Sequence, residues 1–298
     1  MKIHLAFLLL AISGGPVLAA DPLPAYWSDG KAELDGYALV QPRYGENRNG
    51  RVVLVFVTEP YSRSRHVKVD RYDPGDPDQL IVLKLNVVRA FQTGIYDYRA
   101  ETSLFSDPSA GFQPLEITFS MQEWCGHVFE SEIFAPGSVS IALDSYFEGE
   151  SGTTSVAMPA GAVAEDALMV ILRSLTSDKL AANGRAMKLL GGPTYRRLHH
   201  RKAALTDSEL RVAAKPHPVT VPAGTFEVLD VSYAREDGAT VTYQIETAYP
   251  HRIVAWDASD GESGRLTGST RLAYWETHRE GDEKLLDKLG LRPMAIAP

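Results

Sequence analysis

A β-strand pattern of apolar residues between positions 33 and 158 constrains the fold of this chain more than any other feature. Successive side chains of a strand point to opposite faces, so apolar residues recur at every second position when one face is buried. Leu83, Leu85 and Val87 alternate in this way with Lys84 and Asn86. Regular strands with short connections predict an antiparallel sheet that curls or closes. The segments with strand patterns are 51–59, 80–91, 96–105, 115–121, 128–134 and 139–147.

A helical period replaces the β pattern in the middle of the chain. Residues 162–175 repeat apolar side chains at helical spacing, with Glu165 and Asp166 in the first turn, where the helix dipole favours acids. A second helix is predicted for residues 178–190, begun by Ser177 and ended by a Gly-Gly-Pro stop. The β pattern then returns. Further strands are predicted at 219–231, 241–249, 252–257 and 265–277, and a short helix at 282–289.

These patterns predict a mainly β protein, with a strongly curved antiparallel sheet or partly open β-barrel in two halves and a helical pair between them. A signal peptide is predicted at 1–20, followed by one exported domain at 21–298. The domain is divided into an N-terminal β half (21–159), the helical pair (160–192) and a C-terminal β half with a tail (193–298).

The first residues have the layout of a secretory signal peptide. Lys2 supplies a positive charge, residues 5–12 are apolar, and small residues end at Ala20. The apolar run is too short to span a bilayer, so we expect cleavage near Ala20 and a periplasmic or secreted protein without a transmembrane anchor. The net charge of −8 argues against nucleic acid or an anionic membrane as the main partner.

Cys125 is the only cysteine, so the chain forms no internal disulfide, and its surroundings suggest the most reactive site. On one unbroken strand over 115–133, Glu123, Cys125 and His127 would share a face. His127 would then favour a nucleophilic Cys125 thiolate. Alternatively, Cys125 is a small buried residue and Gly126 marks a bulge that turns His127 outward. An oxidising compartment favours burial of a lone thiol, and therefore binding over catalysis. Apolar candidates for ligand binding in this region are Trp124, Phe119, Phe129 and Met121.

Other chemistries have weaker signals. The adjacent His199 and His200 would point to opposite faces of a strand, and no metal-ligand spacing, serine-nucleophile elbow or dinucleotide motif is present, so we predict no metal and no cofactor. Residues 195–202 (YRRLHHRK) gather basic side chains in an acidic chain. They could contact an anionic head group or a glycan phosphate, or form a solvated strand face, and we expect the solvated face.

Several segments resemble an uncharacterised family of exported bacterial β-rich proteins that share a V-P-A-G-T-F hairpin. Some members of this family are called septum formation inhibitors, a name that belongs to a cytoplasmic α/β nucleotide pyrophosphatase. The resemblance implies an envelope protein with a curved antiparallel sheet, and it implies no catalytic or binding residues. The segments that carry it are 219–226 (VTVPAGTF), 249–254 (YPHRIV), 26–34 (YWSDGKAEL), 91–99 (FQTGIYDYR) and 122–127 (QEWCGH).

Three functions are compatible with the sequence. The leading hypothesis is a non-enzymatic binding or envelope-maintenance module, which holds a lipid or another apolar or amphipathic ligand in the concave face of the sheet. The second is a thiol-dependent hydrolase or transferase centred on Cys125 and His127, supported by Glu123. The third is a structural protein of the cell envelope that binds a protein partner along an exposed sheet edge.

The export hypothesis predicts a processed protein in a bacterial host. N-terminal sequencing of the purified protein should begin near Asp21, and fractionation should place it outside the cytoplasm. A Leu8→Arg, Leu9→Arg variant breaks the apolar run and should accumulate as an unprocessed cytoplasmic precursor. Export of this variant at the normal rate would contradict the hypothesis.

Overall fold

The structure is a computed structural model that describes residues 23, 25–174 and 184–293. The predicted signal peptide and residues 178–183 of the predicted second helix lie outside the described residues. No helix within these ranges is long and apolar enough to cross a membrane.

Seventeen strands occur in the described ranges, and each predicted strand segment overlaps at least one of them. The N-terminal half contains β1 (Ala32–Arg43), β2 (Glu46–Ser62), β3 (Val67–Lys68), β4 (Gln79–Thr93), β5 (Tyr96–Asp107), β6 (Gln113–Glu123), β7 (Gly126–Ala135), β8 (Ser138–Ser145) and β9 (Gly152–Ala157). The rest contains β10 (Ala162–Ala164), β11 (Arg185–Leu190), β12 (Leu205–Val212), β13 (His217–Val221), β14 (Gly224–Ala234), β15 (Thr240–Glu246), β16 (Ile253–Ala258) and β17 (Ser263–Leu272). The predicted strands at 139–147, 241–249 and 265–277 are too long, because β8, β15 and β17 end at Ser145, Glu246 and Leu272, and residues 274–276 form a 3-10 helix.

One continuous sheet joins the two halves. From β2 to β9 the neighbours are mostly consecutive hairpins, and from β11 to β17 the chain meanders back until β17 pairs with β1. All pairs are antiparallel except β10 with β11. The sheet does not close, because β9 and β10 each pair on one side only within the described residues. The predicted fold class, a curved and partly open antiparallel sheet, is confirmed.

The concave face of the sheet encloses helices α1 (Glu165–Ser174) and α2 (Pro193–His199). In α1, Ala167, Leu168 and Leu172 are almost completely buried, and they belong to the same core as residues from both halves of the sheet. The α1 prediction from the helical period is therefore confirmed. Because the core includes residues from β7 and from β14, it joins the two halves into one hydrophobic interior.

The prediction of a second helix at 178–190 is wrong where the structure describes it. Residues 185–190 form β11, in which Met187 and Leu189 are buried and Lys188 between them is exposed. The next helix is α2, which has Pro193 in its first turn and an extended Gly192 as N-cap. Proline suits a first turn because it lacks the N–H that has no partner there. The Gly-Gly-Pro sequence therefore begins a helix and does not end one.

Two facing glycines let the C-terminal 3-10 helix, Asp282–Leu289, lie directly on the sheet. Gly36 in β1 pairs with Gly268 in β17, and a Cβ atom at either position would overlap the backbone near Leu289. The Thr267 hydroxyl donates to the Leu289 carbonyl at 2.6 Å, which fixes this contact. The predicted short helix at 282–289 is therefore confirmed, and it packs across the junction of the two halves.

Replacing Gly268 with valine should loosen this contact. The new side chain cannot fit against the backbone at Lys288, so we expect a loss of about 1–3 kcal/mol in the free energy of unfolding and faster proteolysis near the C-terminus. Denaturant unfolding and limited proteolysis measure both effects. Ala157→Val, on an exposed position of β9, is the control and should change stability by less than about 0.5 kcal/mol. Equal effects of the two variants would contradict the packing role of Gly268.

Candidate functional site

The predicted unbroken strand over 115–133 is wrong. Strand β6 ends at Glu123, β7 begins at Gly126, and these two residues face each other across a two-residue turn made by Trp124 and Cys125. The side chain of Glu123 is buried whereas His127 is exposed, so these side chains do not form one row with Cys125.

Cys125 is exposed at the tip of this hairpin, so the prediction that it is buried is also wrong. Its backbone N–H donates to Glu123 Oε2 at 2.7 Å. A separate hydrogen bond between the thiol and Glu123, together with the negative charge of that carboxylate, raises the pKa of the Cys125 thiol. A raised pKa leaves less thiolate at neutral pH, which is the opposite of what a cysteine nucleophile requires.

The four apolar candidates for ligand binding are distributed over three environments. Phe119 and Met121 are buried in the core, Trp124 is 70% exposed at the hairpin tip, and Phe129 is 49% exposed on the outer face of β7. Of these, Phe119 lines a large cleft on the concave side, between α2 and strands β6 to β9. Strand alternation separates Phe129 from Phe119 and Met121 because the register places them on opposite faces of the hairpin.

This cleft, which we call the α2 cleft, has a volume of about 390 Å³. One wall is apolar and consists of core-facing side chains. The other wall consists of the C-terminal part of α2 and the residues that follow it, and the β8–β9 turn with the start of β9 closes one side. The apolar wall contains Phe119, Val128, Ile141, Leu143 and Ala203; the basic wall contains Arg196, Arg197, His200, Arg201 and Lys202; the carboxylates Glu130 and Glu150 also line the cleft.

Residues 195–199 are helical and not extended, and the expectation of a solvated strand face is wrong. Arg196 is 4% exposed and Arg197 is 8% exposed. A seven-residue helix that buries two arginines gives little periodic signal, and its polar composition resembles a solvated surface. The proline in the first turn was the one signal that could have located this helix.

Arg196 anchors α2 to the sheet through two carboxylates of β7. Its Nη2 atom donates to Glu132 Oε1 at 2.5 Å and to Glu130 Oε1, and all three side chains are buried. Burial and the negative charge of Glu132 raise the pKa of Glu130, whereas the positive charge of Arg196 lowers it. The net result is a pKa of about 8. Because these groups are coupled, the pair of carboxylates titrates as a unit. The positive charge of Arg196 is thus compensated within the protein.

Arg197 differs from Arg196 because no carboxylate lies within 4 Å of its guanidinium among the described residues. The guanidinium lies 3.9 Å from the centre of the Phe147 ring, and Nη1 is 3.4 Å from His200 Nδ1. The Nε atom is buried without a hydrogen-bond partner. Burial lowers the pKa of Arg197, yet a guanidinium remains charged at any physiological pH. The charges of Glu150 and Glu123 act on Arg197 from a distance, but among the described residues no carboxylate contacts its guanidinium. A buried cation without a directly bound carboxylate attracts an anion into the α2 cleft.

A second group of buried charges lies where α1 begins. Glu165 accepts hydrogen bonds from Tyr233 Oη at 2.7 Å, Arg235 Nε at 2.6 Å and Gly192 N at 2.8 Å. Asp166 lies beside it on a cavity of about 50 Å³, which has room only for water. Burial and the Glu165 charge raise the pKa of Asp166 to about 7. This group connects α1, α2 and β14, and its cavity is too small for an organic ligand.

Within the described part of the chain, no group of three or more His, Cys, Asp or Glu side chains is arranged to hold a metal ion. The basic wall of the α2 cleft consists of nitrogen donors that are charged or engaged with neighbouring groups, and these favour an anion over a cation.

The fold and the cleft define a class of protein in which an open, curved antiparallel sheet encloses two short helices. No family model and no curated protein matches the chain. Among solved structures it is similar to the crystal structure of a β-barrel-like protein of the domain of unknown function DUF1849 from Brucella abortus. The sequence identity is 11% and the TM-score is 0.47, and the match covers 81% of this chain and 97% of that chain.

An Asp166→Asn variant should change how stability depends on pH. In the folded protein Asp166 keeps its proton up to about pH 7, whereas an aspartate in an unfolded chain loses its proton at about pH 4. The folded state therefore binds more protons in this window, and Asp166 makes the wild type less stable as the pH rises through it. Asparagine cannot ionise, so the stability of the variant relative to wild type should increase by about 1–3 kcal/mol between pH 4 and pH 8.

Denaturant unfolding at several pH values measures this difference. Asp207→Asn, at a carboxylate that is 88% exposed, is the control for the loss of a surface charge and should show a much smaller change. A constant difference between Asp166→Asn and wild type would show that Asp166 is already ionised in the folded protein at pH 4.

Proposed function

We propose that the protein is an exported, non-enzymatic binding protein whose α2 cleft holds an amphipathic molecule with one anionic group. The observation that carries the proposal is Arg197, a buried guanidinium that has no carboxylate partner and lines the cleft. A phosphate or carboxylate group would supply the missing acceptors, and hydrogen bonds of this charge-assisted kind are the strong ones.

The opposite wall of the cleft supports an apolar part of the ligand. Phe119, Val128 and Ile141 are almost completely buried and present hydrocarbon surface on the side facing α2. The cleft volume is within the range of about 300–1,000 Å³ that is common for small-molecule sites. Burial of an acyl chain there would contribute about 0.8 kcal/mol for each methylene group.

The thiol-enzyme alternative has less support. Cys125 does not line the α2 cleft, and Glu123 raises the pKa of its thiol. Export is supported by the signal-peptide layout of residues 1–20, and an extracytoplasmic binding protein would meet amphipathic molecules of the cell envelope there.

Two lysolipids with the same acyl chain test the proposal. Oleoyl lysophosphatidic acid carries an exposed phosphate, whereas oleoyl lysophosphatidylcholine has a phosphate masked by choline. We expect calorimetry, at lipid concentrations below those that form micelles, to show that the protein binds lysophosphatidic acid more tightly than lysophosphatidylcholine. Arg197→Gln should weaken that binding about 10-fold or more, because a hydrogen bond to a charged group is worth about 1.5–3 kcal/mol.

The controls separate the site from the rest of the surface. Arg211→Gln removes an exposed arginine outside the cleft and should leave binding unchanged. Leu143→Asp places a charge on the apolar wall and should weaken both lysolipids, with the melting temperature checking that the fold is intact. Equal affinity of wild type and Arg197→Gln for lysophosphatidic acid would contradict the proposal.

A further inference from the structure

Four hairpin turns lie together at one end of the sheet. The register pairs Arg43 with Glu46, Thr93 with Tyr96, and Glu123 with Gly126, and each of these pairs closes a tight turn. Gly50 of β2 pairs with Phe91 of β4, and Arg99 of β5 pairs with Gln122 of β6, which brings these turns to the same end. The β8–β9 turn joins them because Val128 pairs with Ser145. The longer connections, at 62–79 and 107–113, lie at the other end.

Each of these four turns exposes a large apolar or aromatic side chain. We call Tyr44, Ile95, Trp124 and Tyr146 the apolar rim. Their exposed fractions are 59%, 79%, 70% and 74%, and they include the three most exposed large hydrophobic side chains among the described residues. Four such side chains on four successive turns form a set, and this distinguishes them from the scattered apolar residues of an ordinary surface.

Three of the four rim side chains have specific contacts with the protein, and Tyr44 makes its contact through the hydroxyl group at the end of its side chain. The hydroxyl groups of Tyr44 and Tyr98 are 2.8 Å apart, and the rings of Tyr96 and Trp124 are 6.3 Å apart. Gly126 leaves room for Tyr146, because a Cβ atom at position 126 would be 2.6 Å from its ring. The rim is thus presented by a rigid sheet end and does not depend on long loops.

Two acidic residues near the rim are paired with arginines on the same strands, whereas Glu148, exposed in the β8–β9 turn, has no ion pair among the described residues. Asp97 accepts from Arg99 at 2.8 Å, and Arg48 lies 2.8 Å from Glu46. These two pairs reduce the negative charge at this end of a chain whose net charge is −8. The exposed residues Arg201 and Lys202 follow α2; Arg201 Nε lies 3.4 Å from Glu236 Oε1, and Lys202 adds positive charge.

The C-terminal end of α2 and the β8–β9 turn, which both line the α2 cleft, lie at this end of the sheet. Arg43 Nη1, beside the β1–β2 turn, donates to the Leu198 carbonyl at 2.5 Å and so connects that turn with α2. In the β8–β9 turn, the Phe147 ring lies 6.1 Å from that of His200, and Glu150 Oε1 accepts from His200 Nδ1 at 2.8 Å. The apolar rim therefore lies beside one end of the α2 cleft.

We infer that the apolar rim inserts into the interfacial layer of a lipid bilayer, so that this end of the α2 cleft faces the membrane. This inference rests on the proposed function, because a bilayer is the source of an amphipathic ligand. Trp and Tyr favour the membrane–water interface, where the ring is buried and its polar atom stays hydrated. Separate protruding tips suit a soft interface better than they suit the flat, closely packed surface of a protein partner.

Insertion depends on the apolar side chains more than on charge. The net negative charge of the chain disfavours a strongly anionic membrane, whereas zwitterionic lipid carries no net charge that would repel the protein. Binding to neutral vesicles should therefore be retained at high salt, since salt screens charges but does not weaken apolar burial.

The single cysteine provides a direct probe of insertion. Cys125 is exposed beside Trp124 in the rim, so an environment-sensitive nitrobenzoxadiazole label on its thiol reports the polarity around that turn. With vesicles of phosphatidylcholine and phosphatidylethanolamine, we expect its emission to shift to shorter wavelength and to gain intensity. An unchanged spectrum, at a lipid concentration where the unlabelled protein sediments with the vesicles, would overturn the inference.

A pair of matched variants tests the rim itself. Ile95→Ser with Trp124→Ser should weaken co-sedimentation with these vesicles at least 10-fold. Tyr72→Ser with Trp275→Ser removes exposed aromatic residues from the opposite end and should leave it unchanged. Equal loss in both double variants, or loss in neither, would overturn the inference. So would a rim variant that dissociates a dimer of the wild type in vesicle-free solution, because the rim would then be an interface between copies of this chain.

The two proposals fail separately. The rim variant should still bind lysophosphatidic acid in solution with unchanged affinity, and Arg197→Gln should still sediment with neutral vesicles. Both proposals are supported if only Arg197→Gln loses lysolipid binding and only the rim variant loses vesicle binding. If wild type binds vesicles through the rim but no variant changes lysolipid affinity, the cleft proposal fails while membrane docking stands.

Discussion

The pairing of Arg196 with two carboxylates of β7 determines where helix α2 lies, and the candidate site depends on that position. Glu130 and Glu132 are two residues apart on one strand, so they share a face and together receive one guanidinium. Buried ion pairs often contribute little net stability, but removing one partner leaves an uncompensated charge. The pairing therefore fixes one arrangement of α2, and this arrangement brings the next residue, Arg197, to the wall of the cleft.

Several charged side chains are buried within the curve of the sheet and are paired with an opposite charge. Glu165 receives three donors, and Arg173 lies 2.6 Å from Glu33 on β1. In contrast to these paired groups, the guanidinium of Arg197 contacts the Phe147 ring and His200, and it contacts no carboxylate among the described residues. An open sheet can accommodate such a group because its concave side reaches solvent, so an anion can enter where a closed core would exclude it.

Much of the fold could be predicted because strands that pair with their sequence neighbours record their burial in the local pattern. Local sequence patterns also predicted the α1 helix, the β13–β14 hairpin and the C-terminal short helix. The site was not. Trp124 and Cys125 form a two-residue turn without the usual Asn-Gly or Asp-Gly signal, so the segment reads as one strand. The α2 helix is two turns long, and its buried arginines resemble surface residues until Glu130 and Glu132 are placed beside them.

The sequence by itself determined a mainly β chain with a helical insertion and without an internal disulfide, because strand and helix periods and the cysteine count are local properties. Only the tertiary structure decided that Cys125 is exposed, that among the described residues Arg196 has carboxylate partners and Arg197 has none in contact, and that four hairpin turns lie together at one end of the sheet beside the α2 cleft. These features depend on which distant strands meet and in which register. A one-residue change of register would move each side chain to the other face of the sheet.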